Sequence, residues 1–191
     1  MGQRTQIAIV IEDKVNNENT LKVYHDQWGI GRRMYLVLMS LANKYHLEGD
    51  SNNTKEFVKN FEVDPNEMYK IWEKNISESD VQKMMTPEGA KDLVFSHYDN
   101  NNGGLVIHLV VNGWKNIDKD IFEFGFLMGP EDALFDERFG EAFSKWLSAE
   151  EFASIDINKS YAHGEFISMF NQFTKYFGLR SIASEVKEEV R

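Results

Sequence analysis

The residues best suited to chemistry cluster at two places in the sequence. The first is the run Tyr24 to Arg33, YHDQWGIGRR, and the second is SHYDNN, from Ser96 onward. Each brings an aromatic ring, a histidine and an aspartate to the end of an apolar segment. His25 with Asp26, and His97 with Asp99, are therefore candidate catalytic residues. A histidine held by a carboxylate can act as a general base or ligate a metal. Neither pair has a recognised metal spacing, and adjacent strand residues point to opposite faces, so no metal ligands are assigned. The ordinary role for such groups is a turn-forming Asp and a strand-end His with satisfied hydrogen bonds.

Just downstream, Trp28, Gly29, Gly31, Arg32 and Arg33 form a candidate ligand-binding junction. Backbone amides at a helix start, with two arginines, can hold a phosphate or carboxylate. Neither the dinucleotide fingerprint nor the P-loop is complete. A third constellation is acidic. Asp120, Glu123, Glu131, Asp132, Asp136, Glu137 and Glu141 alternate with Phe and Trp, and are candidate partner-binding residues. Carboxylates so displayed can occupy a basic groove on another protein; the plain alternative is an amphipathic region with its rings in the core. His108, inside an apolar strand, is expected to be a buried or cross-strand histidine. His46 and His163 have no companions suggesting a site.

The elements that must position these groups follow from periodicity. Residues 5–12, TQIAIVIE, and 20–25, TLKVYH, alternate as strands and should form a hairpin with a long loop. Residues 32–47 carry an apolar stripe of Met34, Leu38 and Leu41, which predicts a helix. Asp64-Pro65 opens a further helix whose buried face is Met68, Ile71 and Trp72. Residues 93–98 and 105–111 are expected to form a second hairpin around DNNNGG, and 120–128 a fifth strand. Helical patterns occupy 131–139 and 165–177. The resulting expectation is an α+β fold in one domain, residues 1–191. An antiparallel sheet of about five strands, built from two β blocks, has helices on one face. A helical insertion covers about 48–91 and a helical C-terminal region about 130–191.

Composition narrows the function. The 191 residues have 21 Lys plus Arg against 31 Asp plus Glu, a net charge of −10. That balance disfavours direct nucleic-acid binding. The charge is uneven: residues 1–46 hold six basic and four acidic side chains, and residues 116–156 three basic and eleven acidic. There is no Cys, which excludes disulfides and thiolate chemistry and suits a cytoplasmic chain. No run suggests a signal peptide or membrane span, and no cofactor is implied.

The opening GQRTQIAIVIE, followed by VYHDQWG, resembles the start of small phage and plasmid proteins of low-GC Gram-positive bacteria. The matching positions are Gly2, Arg4, Thr5, Ile7, Tyr24, His25, Trp28 and Gly29, about the first quarter of the chain. Here Asp26 and Gln27 separate His25 from Trp28. The resemblance implies a mobile-element accessory protein, a group in which anti-defence and anti-CRISPR products abound, and carries over no catalytic role. Two expectations result. One is a non-enzymatic, acidic protein that binds a basic host protein, such as a nucleic-acid-handling defence effector. The alternative is a phosphoester hydrolase, nuclease or phosphorylated-ligand-binding domain using His25, Asp26, Arg32 and Arg33.

Overall fold

The computed structural model describes residues 4–27, 31–49, 51–97, 100–155 and 164–185. Strands β1 (Thr5–Asp13) and β2 (Glu18–Asp26) pair antiparallel, with Thr5 opposite Asp26 and Asp13 opposite Glu18. The hairpin turn is shorter than expected. The Asp13 carboxylate accepts from the Val15 and Asn16 amides at 3.0 and 3.1 Å, and Asn17 adopts φ +56°. An Asx-type bond and one left-handed Asn therefore close the loop.

Helix α1 (Gly31–Glu48) follows, then α2 (Thr54–Asn60). Where the sequence suggested a helix after Asp64-Pro65, the chain makes one turn and enters strand β3 (Tyr69–Asn75), which pairs antiparallel with β2. Ile71 and Trp72 fit either period in so short a segment, and β2 offers an unpaired edge. Tertiary pairing decides the outcome. Helices α3 (Glu78–Met84) and α4 (Pro87–Ala90) come next, capped by Ser77 and Thr86.

The expected second hairpin does not form. Lys91–Phe95 is one turn of π-helix continuing α4. Strand β4 (Gly104–Val111) pairs with β1 in parallel, Gln6 opposite Gly104 and Val10 opposite His108. A 3-10 segment, Trp114–Lys119, leads to β5 (Ile121–Leu127), antiparallel to β4. Helix α5 (Pro130–Phe135), a 3-10 turn (Glu137–Phe139), α6 (Ala149–Ser154), α7 (Gly164–Tyr176), the short β6 (Arg180–Ser181) and α8 (Ile182–Glu185) complete the described chain. β6 pairs with β5 in parallel.

The architecture is thus α+β, but the sheet is mixed and six-stranded, in the order β3-β2-β1-β4-β5-β6, rather than antiparallel and five-stranded. Helices cover both faces rather than one. Ile7, Ile9, Ile11, Leu105, Ile107, Leu109, Phe124 and Phe126 pack under α1, α2, α6 and α7. Ala8, Val10, Leu21, Val23, Val106 and Leu127 pack under α3, α4, the π turn and α8. All nine residues of β1 are buried. A central parallel pair needs a long crossover and is normally buried on both sides. The continuous apolar run of β4 is the sequence trace of that position. Among the described residues, no helix is long and apolar enough to cross a membrane.

Two glycines allow the chain to return to the sheet. A Cβ on Gly103 (φ +76°) would lie 2.0 Å from the Leu127 carbonyl oxygen, and one on Gly129 2.1 Å from the Gly103 nitrogen. Only glycine permits that approach. It ties the segment before β4 to the end of β5, next to the start of β1.

Candidate functional site

The sheet has two ends, and they differ in chemistry. At the first lie the start of β1, the end of β2 and the start of β4. His25 is paired with Gln6 across β1–β2, and Gln6 with Gly104 across β1–β4. The Gln6 and His25 side chains share one face with Ala8, Val10, Leu21 and Val23, because strand side chains alternate. Phe95 packs where a Gly104 Cβ would stand, with its Cε1 2.2 Å from that position. From there the chain passes His97 and Asn100 to Asn102. The Asn102 amide donates to the Arg4 carbonyl at 3.0 Å, and its Oδ1 accepts from the Arg4 amide at 3.2 Å. The two stretches singled out by the sequence therefore reach the same end of the sheet. His25 and Gly104 flank β1, which sets their Cα atoms roughly 10 Å apart.

The groups at this end are unusually short of partners. Gln6 is 0% exposed, and neither its Oε1 nor its Nε2 has a hydrogen bond. Asn100, 6% exposed, likewise has both amide atoms unpaired. His25, 7% exposed, has no partner for Nδ1. Burial lowers the His25 pKa, with Asp26 pulling it back and Arg4 adding to the fall, so the ring is neutral at pH 7. Its ring meets Tyr69 edge-on, centroids 5.3 Å apart. The Asp26 carboxylate meets Arg33 Nε at 2.8 Å. Arg33 Nη2 also donates to the Glu67 carbonyl at 2.7 Å. Nearby, Asp132 is fully buried in the first turn of α5, accepting from the amide of the N-cap Gly129 at 3.1 Å and from Asn102 Nδ2 at 3.3 Å. Burial raises its pKa to about 6.

Of the other residues proposed from sequence, His97 is exposed and Gly31 opens α1. Trp28, Gly29, Asp99 and the Arg32 side chain lie outside the described residues.

The acidic set is largely internal. Asp120 accepts from the Tyr45 hydroxyl and the Asn112 amide, both at 2.6 Å. Asp132 is fully buried, and the nearly fully buried Asp136 pairs with Arg138. Glu123 belongs to a cross-strand network. His108 Nδ1 meets Glu123 Oε2 at 3.0 Å and Nε2 meets Glu12 Oε1 at 2.7 Å. Arg180 holds the other Glu123 oxygen at 2.7 Å, and Lys14 holds the other Glu12 oxygen. Burial disfavours the His108 cation, but hydrogen bonds and charge from both glutamates outweigh it and raise its pKa. The same contacts hold the Glu12 carboxyl down at about 2 and lower that of Glu123. Only Glu131, Glu137 and Glu141 of the seven remain at least partly open to solvent without such a role. The sequence reading placed His108 correctly but missed its partners. Glu12 and Glu123 are single polar residues in apolar strands, and only strand order brings them together.

The second end of the sheet, where β1 and β4 finish and β5 begins, carries exposed apolar side chains among its charged and polar loop residues. Trp114 and Ile117 of the 3-10 segment are 52% and 42% exposed. Val15 is exposed as well, and its Cγ2 lies 3.1 Å from where a Gly113 Cβ would stand. Helix α1 ends here, since Tyr45 reaches Asp120, and His46 meets Phe177 with ring centroids 5.2 Å apart. Leu47 and Tyr176 beside them are 70% and 79% exposed. Five of the nine exposed large apolar side chains among the described residues thus surround one end.

Among the described residues, no three His, Asp or Glu side chains come together in a way that could hold a metal ion. Compared with known protein families, with curated proteins and with solved structures, the chain matches none.

Proposed function

We propose that this chain is a non-enzymatic interaction protein that docks a partner protein through the Trp114 end of its sheet. The observation that carries the reading is the group of exposed Val15, Leu47, Trp114, Ile117 and Tyr176 around one end. Clustered exposed apolar side chains mark interaction sites, and aromatic residues dominate binding energy. Lys115 lies over the Trp114 ring, 5.6 Å from its centroid, giving the patch a polar rim. The net charge of −10 favours a basic partner through long-range attraction. The resemblance of the opening residues to phage and plasmid products favours a mobile-element role, with a nucleic-acid-handling defence effector as the target. Burial of Asp132 and Asp136 and the engagement of Asp120 and Glu123 favour the apolar end over the acidic segment as the docking surface.

The test is affinity capture from the natural host with wild-type protein and the double variant W114E/I117E in parallel. Both side chains are exposed, so the two proteins should give matching circular dichroism spectra and melting temperatures. A specific protein retained by wild type and lost from the variant supports the surface. Its capture should also weaken between 50 and 500 mM salt, on the order of tenfold or more for several rim charges. Equal retention by both proteins removes the apolar end as the docking site.

A further inference from the structure

A cavity of about 750 Å³ opens between α1, the end of α2, the segment leading to β3, and β3 itself. Small-molecule sites have this size. Ser40 and Lys44 reach it from α1, where residues four apart share a face, and Lys59 and Asn60 from the end of α2. Lys44 Nζ donates to the Asn60 carbonyl at 2.6 Å, which ties these two pairs together. Glu62 and Asp64 of the connecting segment, and Lys70 and Glu73 of β3, complete the polar lining. Lys22, 0% exposed and opposite Glu73 across β2–β3, contacts three of the lining residues, Lys59, Glu62 and Glu73.

The charges of the cavity pair unevenly. Lys22 Nζ meets Glu62 Oε1 at 3.7 Å and Glu73 Oε1 at 3.9 Å. Lys70 meets Glu62 Oε1 as well, and Glu73 Oε2 at 2.8 Å. Two ammonium groups and two carboxylates thus offset one another. The Lys70 hydrogen bond holds the Glu62 carboxyl below the usual carboxylate range, so it stays ionised. Lys22 also donates to the carbonyls of Val58, Lys59 and Phe61 at 2.6, 3.2 and 3.1 Å. With Lys44 on the Asn60 carbonyl, the end of α2 needs no further cation. Among the described residues, the Lys59 ammonium, the Ser40 hydroxyl and the Asn60 side-chain amide have no partner. Lys44 keeps two of its three donors. Asp64 is the one carboxylate outside the offset group, and its Oδ1 already accepts from the Asn66 amide and Nδ2 at 2.8 and 2.9 Å. A surplus of cationic donors therefore faces the cavity.

Those donors fit a phosphomonoester, which brings close to two negative charges and three acceptor oxygens to two lysines and a hydroxyl. A monocarboxylate brings one charge and two oxygens. On the β3 side both lysines lie on Glu62 Oε1, which leaves Oε2 to accept from a hydroxyl. The lining includes Val63 and Pro65 but no aromatic ring among the described residues, so a base would find no stacking surface. We propose that this cavity binds a phosphorylated sugar or polyol, with its phosphate on Lys44, Lys59 and Ser40 and its hydroxyls on Glu62. None of the lining residues belongs to the exposed apolar group around Trp114, so the site stands whether or not that surface docks a protein.

The experiment uses the full chain with glucose 6-phosphate, ribose 5-phosphate and glycerol 3-phosphate. Inorganic phosphate, glucose, gluconate and adenosine 5′-monophosphate serve as comparisons. Binding is read by isothermal calorimetry and thermal shift for wild type, Lys59→Gln, Lys59→Glu and Lys44→Gln, with Lys83→Gln on α3 as a control. Lys59 is exposed and unpartnered, so both of its variants should melt with wild type in the absence of ligand. The expected result is binding of at least one sugar or polyol phosphate and none of glucose. Affinity should fall roughly tenfold or more in each Lys59 and Lys44 variant, most in Lys59→Glu, and stay unchanged in Lys83→Gln. Failure of all three phosphates to bind overturns the proposal, as does binding that Lys59→Glu leaves unchanged. Inorganic phosphate or gluconate binding as tightly as the best of the three would mean an adventitious ion only, and adenosine 5′-monophosphate binding more tightly than ribose 5-phosphate would mean a site for the base; either result overturns it too.

Discussion

The two ends of this sheet meet the same problem in opposite ways. Each carries polar side chains on strands that are buried on both faces. At the His108 end Lys14, Glu12, His108, Glu123 and Arg180 form an alternating chain of charge across four strands. That end presents apolar side chains outward. The Gln6 end holds buried amides and a ring nitrogen, His25 Nδ1, without hydrogen-bond partners. A buried network whose members are paired specifies structure, whereas an amide buried without partners costs stability.

The largest expected effect breaks the satisfied end. His108→Leu leaves Glu12 and Glu123 facing each other in the interior. Unfolding stability should fall by about 3–5 kcal/mol, the usual result of removing one partner from a buried charge pair. A urea titration measures it, and a loss below about 1 kcal/mol would show that the two carboxylates relax into water.

The pH profile comes next. The His108 pKa is raised above the ordinary 6.5, so its contribution is fully present below that value and is lost as pH rises through the folded-state pKa. Glu12 behaves inversely. Held at about 2 against 4.5, its contribution is present above 4.5 and lost as pH falls towards 2. Asp132, at the other end, is raised from 3.8 to about 6 by burial. Its contribution is fully present below 3.8 and lost as pH rises through about 6. Urea midpoints should therefore rise as pH falls from 8 to 6. Asp132→Asn should remove the part centred near 6, and His108→Leu the part above it. A flat wild-type profile would contradict both assignments.

A smaller effect of opposite sign is expected at the open end. Gln6→Met or Asn100→Leu should change stability by about 0 to +2 kcal/mol, since each removes an amide left without its hydrogen bonds. A loss of comparable size, by the same titration, would place these residues with the satisfied network. The smallest effect belongs to the surface. Trp114→Ser should alter stability by no more than about 0.5 kcal/mol while reducing partner capture. A large loss of stability would mean that the ring is part of the core.

Much of the local structure was legible. The β1–β2 hairpin, α1 and α7 appear where alternation and helical stripes place them. The failures fall where a short apolar segment fits two periods. Residues 93–95 lie in the π turn Lys91–Phe95 and 69–75 form an edge strand, because partners remote in sequence decided them. The first misreading cost the sheet its parallel centre. His25 stood out in the sequence, whereas Gln6 looked like one polar residue in a strand and Asn100 like part of a turn, and their buried, unpaired state emerged only from strand order.

The sequence by itself determined the composition of this protein, its charge, most of its helices and the presence of two polar stretches near strand ends. These are properties of neighbours along the chain, set by side-chain period, capping chemistry and backbone preference. The tertiary structure decided strand order, the parallel β1–β4 pair, and which polar groups found partners. Those outcomes depend on contacts between residues such as Glu12 and His108, or Arg4 and Asn102, about a hundred positions apart. No local pattern encodes such a pairing, and the hydrogen bonds that separate the two ends exist only after the sheet has closed around them.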